Sequence, residues 1–436
     1  MNRNYLIIGV VAIIVIAAGI WLFLFKGPAG PSGIPGINGS LPLVNGGVGG
    51  GSVGVGPRNG ASSGSAGTSG SLPTQAATPA GISSGATKFG LISNEPAADY
   101  FIDKSNNVTV VGPTGKIATI LNGDPSFLSS TEIPDLISAR FSYSGVKVLA
   151  NFGDPSNPQT SIFDITTKAW SPLPVGIISP VWSPSDSRIA YLKTNSDGSV
   201  SLTTLDASKA SSKPVTLLTL AAQDLTLAWP NKNTIILAEK ASGYIEGSVL
   251  TYDIPSQTIA RPLSGLFGLS TLWSNTTTSV PIAFSNTISG RNPKLSYYPA
   301  SGSPQDISLL TLPSKCAFNY EFEAAQTSPA SAVSSTTTST AQKQTKASPP
   351  VGYLALYCAV PQDQNVFSSA HLPDNYNQMS LFTIDLFEKV RMDTGDATIV
   401  YLPAASLDAT NLKVVNNTLF FVNRYDSKLY AISLAQ

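Results

Sequence analysis

The 436-residue chain has one histidine, two cysteines and a charged fraction of only 12%, and each shortage closes off a class of function. Ser-His-Asp catalysis would have to pass through His371, which lies in the loop-like segment FSSAHLPDNYN with no nucleophile elbow near it. That histidine reads as a solvent-exposed loop residue. Two separated cysteines without histidine partners make a poor metal site. The G-x-S-x-G, H-E-x-x-H, P-loop and dinucleotide patterns are missing as well. No catalytic, cofactor-binding or metal-ligating residue is therefore assigned, and no cofactor is expected. Lys and Arg number 26 against 26 Asp and Glu, without a basic cluster. Nucleic-acid binding, which needs clustered cations to displace counterions, is excluded on that ground.

One long apolar run is present. Residues 5–25 read YLIIGVVAIIVIAAGIWLFLF without a charge, and about 20 apolar residues cross a ~30 Å hydrocarbon core as a helix. Tyr5 and Trp21 lie near its two ends, where aromatic rings favour the headgroup layer. The run is longer than the core of a cleavable signal, and KGPAGPSG after it offers no small-x-small site. Residues 1–26 are thus expected to be an uncleaved single-pass membrane anchor. Arg3 and Lys26 nearly balance across it. An N-terminus in the cytoplasm, with the C-terminal domain periplasmic or on the cell surface, is favoured by the lack of positive charge near the membrane after Lys26, the Ser/Thr-rich stretches and a pairable set of cysteines. The glutamate and Gly-Phe site of a type IV pilin are missing.

Residues 27–85 contain 18 glycines and one charged residue, Arg58, too little apolar surface to offset ordering entropy, so a disordered linker is expected. Glycines 27, 30, 33, 36 and 39 fall in a collagen-like register, but so short a run reads as an extended Pro/Gly linker. A second low-complexity stretch, residues 326–350, interrupts strand-like sequence and has the composition of a disordered or O-glycosylated loop.

From 86 to 436 short β-branched and aromatic runs alternate with turn residues, the pattern of an all-β fold. SARFSYSGVKVLANF, SPVWSPSDSRIAYLK, TLAWPNKNTIILAEK and STLWSNTTTSVPIAF align without gaps and set Phe141, Trp182, Trp229 and Trp273 in one column, spaced by 41, 47 and 44. A second column aligns Asp164, Asp206, Asp253 and Asp385 in SIFDITTKAW, TTLDASKAS, TYDIPSQTIA and FTIDLFEKVR. Such a period fits a β-propeller, whose four-stranded blades bury their faces only against neighbouring blades. The aromatics would pack between blades, and the aspartates would cap Asx turns at strand ends in preference to binding metal. About seven blades are counted, beginning near 88, 137, 178, 224, 269, 311 and 407; six or eight also fit. The last is one strand short, so an N-terminal strand is expected to complete it. Cys316 and Cys358 fall on the first two strands of the sixth blade, where a disulfide would clamp the base of the Ser/Thr loop.

VWSPSDSRIAYL resembles the TolB-type, WD-like repeat: an aromatic, then Ser-Pro-Asp-Gly, a basic residue and an apolar strand. Ser187 stands in the place of the glycine, and the other repeats depart in the turn. The resemblance covers about residues 137–310 and implies an exported propeller that binds other proteins; no functional residue carries over. RYDSKLYAISL also resembles quinoprotein-type propeller strands, without that family's docking tryptophans. Together these readings favour a membrane-anchored, extracytoplasmic binding or scaffolding module with a protein or glycan partner. Two alternatives stand beside it. One is a propeller hydrolase acting on saccharide or peptide through carboxylates, with Glu95, Asp99, Glu246 and Asp374 as unpaired candidates. The other is a structural surface protein.

Overall fold

A computed structural model of the chain describes residues 88–209, 211–222, 224–274, 281–299, 302–322 and 352–434. The expected anchor, linker and Ser/Thr loop lie outside them. Among the described residues no helix is long and apolar enough to cross a membrane.

Seven four-stranded antiparallel sheets follow one another along the chain. Blades one to six occupy residues 99–129, 136–172, 178–220, 225–267, 270–306 and 316–401, each an up-and-down meander from inner to outer strand. Blade seven takes its three inner strands from 409–433 and its outer strand from Phe89–Pro96. The strand expected to open blade one near residue 88 therefore closes blade seven, and blade one opens at Asp99. Pairing of Phe89 with Ile432 and of Leu91 with Tyr430 makes this closure, which joins the first described residues to the last.

The ring follows from where the apolar side chains go. Seven of the buried clusters each join two consecutive blades, and the one around Tyr100, Val110, Phe420 and Leu429 joins blade seven back to blade one. The Tyr100 hydroxyl, fully buried, donates to the carbonyls of Asn411 and Phe420 at 2.7 and 3.0 Å across that closure. A lone blade would leave such faces wet, so neighbour packing is what makes the repeat stable. Phe141, Trp182 and Trp273 end the inner strands of blades two, three and five, and Trp229 lies within that of blade four. Each packs in a cluster shared with an adjacent blade. The Trp182 indole also donates to the Arg140 carbonyl of blade two at 3.0 Å.

Asp164, Asp206 and Asp253 end the third strands of blades two, three and four. Their carboxylates accept backbone N–H groups two or three residues on, at 2.9–3.0 Å. Asp385 stands apart: it opens the third strand of blade six and is fully buried. A 23-residue excursion, 362–384, precedes that strand and displaces the aspartate from the strand end its sequence context suggested. Cys316 and Cys358 are directly opposed on the inner two strands of blade six and form a disulfide, Cα to Cα 4.1 Å.

Candidate interaction face

Meandering blades give the ring two unlike faces. The connections between blades, and those between each blade's second and third strands, share one face, here called upper; the other turns form the lower face. The chain enters at Lys88 and leaves at Leu434 on the lower side, where the Ser433 N–H donates to the Lys88 carbonyl at 2.8 Å.

The excursion of blade six belongs to the upper face. Its first helix, α1 (Gln364–Ser369), starts where the Asp363 side chain accepts the Val366 N–H at 3.0 Å, and α2 (Asp374–Asn377) follows a cis Leu372–Pro373 bond. Phe367, Leu372, Tyr376 and Leu381 form a small core with Leu312 of the preceding connection. That apolar set is what turns a polar loop into a docked element.

An ionic network fixes the excursion to blades six and seven. Lys315, fully buried before the inner strand of blade six, places Nζ 2.8 Å from Asp385 Oδ2 and 2.7 Å from Asp408 Oδ1. It also donates to Tyr376 and Thr383 hydroxyls and to the Ala409 carbonyl, at 3.1–3.2 Å. Arg424 Nη1 meets Asp408 Oδ2 at 2.8 Å, and its other nitrogen donates to the Tyr376 carbonyl at 2.7 Å. The guanidinium lies 3.7 Å from the Tyr376 ring centroid. Two cations and two carboxylates thus balance in a dry site, which satisfies the condition for burying charge. Burial works against the Lys315 ammonium, but Asp385, Tyr376 and Asp408 outweigh it and hold its pKa above the ordinary value. Burial leads at Asp385 and lifts its carboxyl above the ordinary range, against the pull of Lys315 and the Ala409 N–H.

From this anchor the excursion crosses blade five to reach blade four. The Leu372 N–H donates to the Gly290 carbonyl at 2.7 Å, and Asp374 Oδ2 accepts the Gly243 N–H at 2.6 Å. Close approach needs glycine: at Gly268, with φ +63°, a Cβ would sit 2.7 Å from the Leu372 carbonyl oxygen. His371 stacks on Tyr244 of blade four, ring centroids 4.7 Å apart, and its Nδ1 is buried with no partner among the described residues. The expected solvent-exposed loop histidine is therefore half-buried packing.

Apolar side chains remain exposed along this path: Tyr244 and Ile245 in blade four, Ile288 in blade five, Phe382 in the excursion and Tyr425 in blade seven. Ile288 is 73% exposed, and the Phe382 and Tyr425 rings stack at 5.4 Å. At the upper ends of blades four to seven, exposed or half-exposed acids include Asp224, Glu239, Glu246, Asp363, Asp374 and Asp426, with Lys240, Arg291 and Lys428 as the bases there.

The four candidate carboxylates do not converge. Asp99 is 2% exposed and held by Lys413 at 2.8 Å, Asn411 at 3.1 Å and the Phe141 N–H at 3.2 Å. Burial pushes its carboxyl up, but Lys413 and Arg140 outweigh it and hold it below the ordinary value. Glu95 lies in the closing strand of blade seven, Glu246 opens the third strand of blade four, and Asp374 caps Gly243. The two carboxylates that do share a partner, Asp385 and Asp408, are sealed from solvent. Among the described residues no cluster of His, Cys, Asp and Glu could hold a metal ion. The inner strands of blades four to seven line a cavity of about 530 Å³ that includes Trp229, Trp273, Phe318 and Lys413. Lys315, Asp408 and Arg424 carry no repeat signature; the one hint was a lysine at the mouth of an inner strand, between Pro313 and Cys316.

No protein-family model matches the chain, and no curated protein does. Among solved structures it is similar to TolB from Acinetobacter baumannii (13% identity, TM-score 0.38, 66% of this chain and 58% of that one). It is similar too to the β-propeller domain of the trilobed protease from Pyrococcus furiosus (11%, 0.39, 66% and 79%). A third is catalytically inactive virginiamycin B lyase from Staphylococcus aureus with quinupristin (10%, 0.45, 80% and 98%). The chain spans 58% of the length of the Acinetobacter protein. At these identities the likeness concerns the fold alone, and the seven-bladed assignment rests on this chain's own strand pairing.

Proposed function

We propose that this chain is a membrane-anchored, extracytoplasmic propeller that binds a protein partner through its upper face. One observation carries the reading: exposed Tyr244, Ile245, Ile288, Phe382 and Tyr425 share one face, and that face is braced by a docked excursion. A soluble ring gains nothing by fixing aromatic rings in water, whereas a rigid apolar patch binds without an ordering cost. The described chain enters the ring at Lys88 on the lower side, the side opposite the excursion. The hydrolase alternative needs two carboxylates open to substrate; the paired ones are buried and neutralised by Lys315 and Arg424.

The test is site-specific photocrosslinking of the full chain in its native membrane. A crosslinker at Ile288 or Tyr425 is expected to give one discrete adduct, and one at Tyr143 on the lower face is expected to give none. Equal adducts from both faces, or none from either, would reject the proposal.

A further inference from the structure

Resting on that reading, we infer that the partner presents a basic polypeptide segment whose aliphatic or aromatic side chains alternate with Lys or Arg. The apolar part of the argument is geometric. Ile288 stands at the tip of the blade-five turn; Tyr244 and Ile245 flank it on one side, and the Phe382–Tyr425 stack lies on the other. These positions come from four successive blades on one face, so they can receive apolar anchors spaced along a single extended or helical segment.

The charge part is independent of it. Formal charge is zero over the whole chain, yet the upper ends of blades four to seven expose or half-expose the acids Asp224, Glu239, Glu246, Asp363, Asp374 and Asp426 against the bases Lys240, Arg291 and Lys428. Lys315 and Arg424, two further cations of that region, are spent inside the buried network, which leaves Arg291 and Lys428 beside Lys240 as the outward cations. On the lower turns the exposed charges lean the other way, Lys104, Lys168, Lys209, Lys213 and Lys232 standing against Asp124, Asp393 and Asp396. An acidic rim around an apolar patch selects for a basic segment and repels an acidic one, chiefly through association rate and register. It also disfavours direct contact with an anionic lipid surface or an acidic glycan.

The test is selection of a displayed random-peptide library against the full chain in mild detergent. Enriched peptides are expected to combine hydrophobic residues with Lys or Arg, and Ile288→Asp is expected to abolish their binding. The Asp224→Asn/Asp374→Asn double variant keeps an acceptor for the Gly243 N–H while removing two charges. It is expected to weaken binding about fivefold at low salt, an effect that shrinks as salt screens exposed charges. Tyr143→Asp on the lower face is expected to change nothing. Enrichment of acidic or uncharged peptides, insensitivity to the double variant, or loss of binding through Tyr143→Asp would overturn the inference. Self-association abolished by Ile288→Asp would give the face to a second copy and overturn it as well. Upper-face photocrosslinks without a basic consensus would sink only the partner chemistry; absence of both would sink the binding face itself.

Discussion

Replacing Lys315 by methionine tests whether the buried network is what holds the excursion down. Methionine keeps most of the apolar stem and removes the ammonium. Asp408 would retain Arg424 at 2.8 Å, but Asp385 would keep only the Thr383 hydroxyl and the Ala409 N–H, both at 2.8 Å. Leaving one buried carboxylate without its cation costs about 3–5 kcal/mol, a large part of a total stability of about 5–15 kcal/mol. The cost has a pH signature. Burial already raises Asp385 above 3.8, and without Lys315 the leading opposition to that rise is gone. A carboxyl with a raised folded-state pKa binds more protons folded than unfolded, so its contribution is lost as pH rises through the folded value. The deficit of Lys315→Met should therefore be largest near pH 8 and shrink toward pH 5. Urea unfolding of the full chain in detergent, followed by tryptophan fluorescence at both pH values, measures it. The Lys315→Met/Asp385→Leu double variant should recover more than half of the loss. A deficit below about 1 kcal/mol at pH 8, or one that grows on acidification, would refute the reasoning.

Reducing the Cys316–Cys358 bridge, which closes a sequence separation of 42, should cost about 4 kcal/mol by chain entropy, read as a lowered urea midpoint in dithiothreitol; an unchanged midpoint would count against it. Trp182→Phe loses a hydrogen bond to Arg140, whereas the Trp229 indole N–H is buried with no partner among the described residues. Trp182→Phe should therefore be about 1 kcal/mol more costly than Trp229→Phe in the same assay. Asp164 is held below its ordinary pKa by Lys147 and the Thr167 and Thr166 N–H groups, Asp206 by the side chain and N–H of Ser208, and Asp253 by those of Ser256. Depressed carboxyls stabilise above the unfolded value near 3.8 and lose that contribution as pH falls through the folded one, so Asp164→Asn should flatten the acid limb of the stability curve.

The sequence alone determined the blade and its repetition. A four-stranded sheet with two apolar faces must bury both against copies of itself, so the aromatic spacing of 41–47 residues had to follow the ring. It also determined the disulfide, because opposed strands of one blade bring Cys316 to Cys358, and the need for an N-terminal strand, because the last repeat had three. What the tertiary structure decided lies in the connections. The excursion 362–384 moves Asp385 from a turn cap into a buried ion pair. Lys315, Asp408 and Arg424 come from two different blades and no repeat column, so only packing could bring them together. The acidic, apolar upper face is equally a tertiary product: its residues are scattered over five connections, and the direction of each strand sends them to the same side.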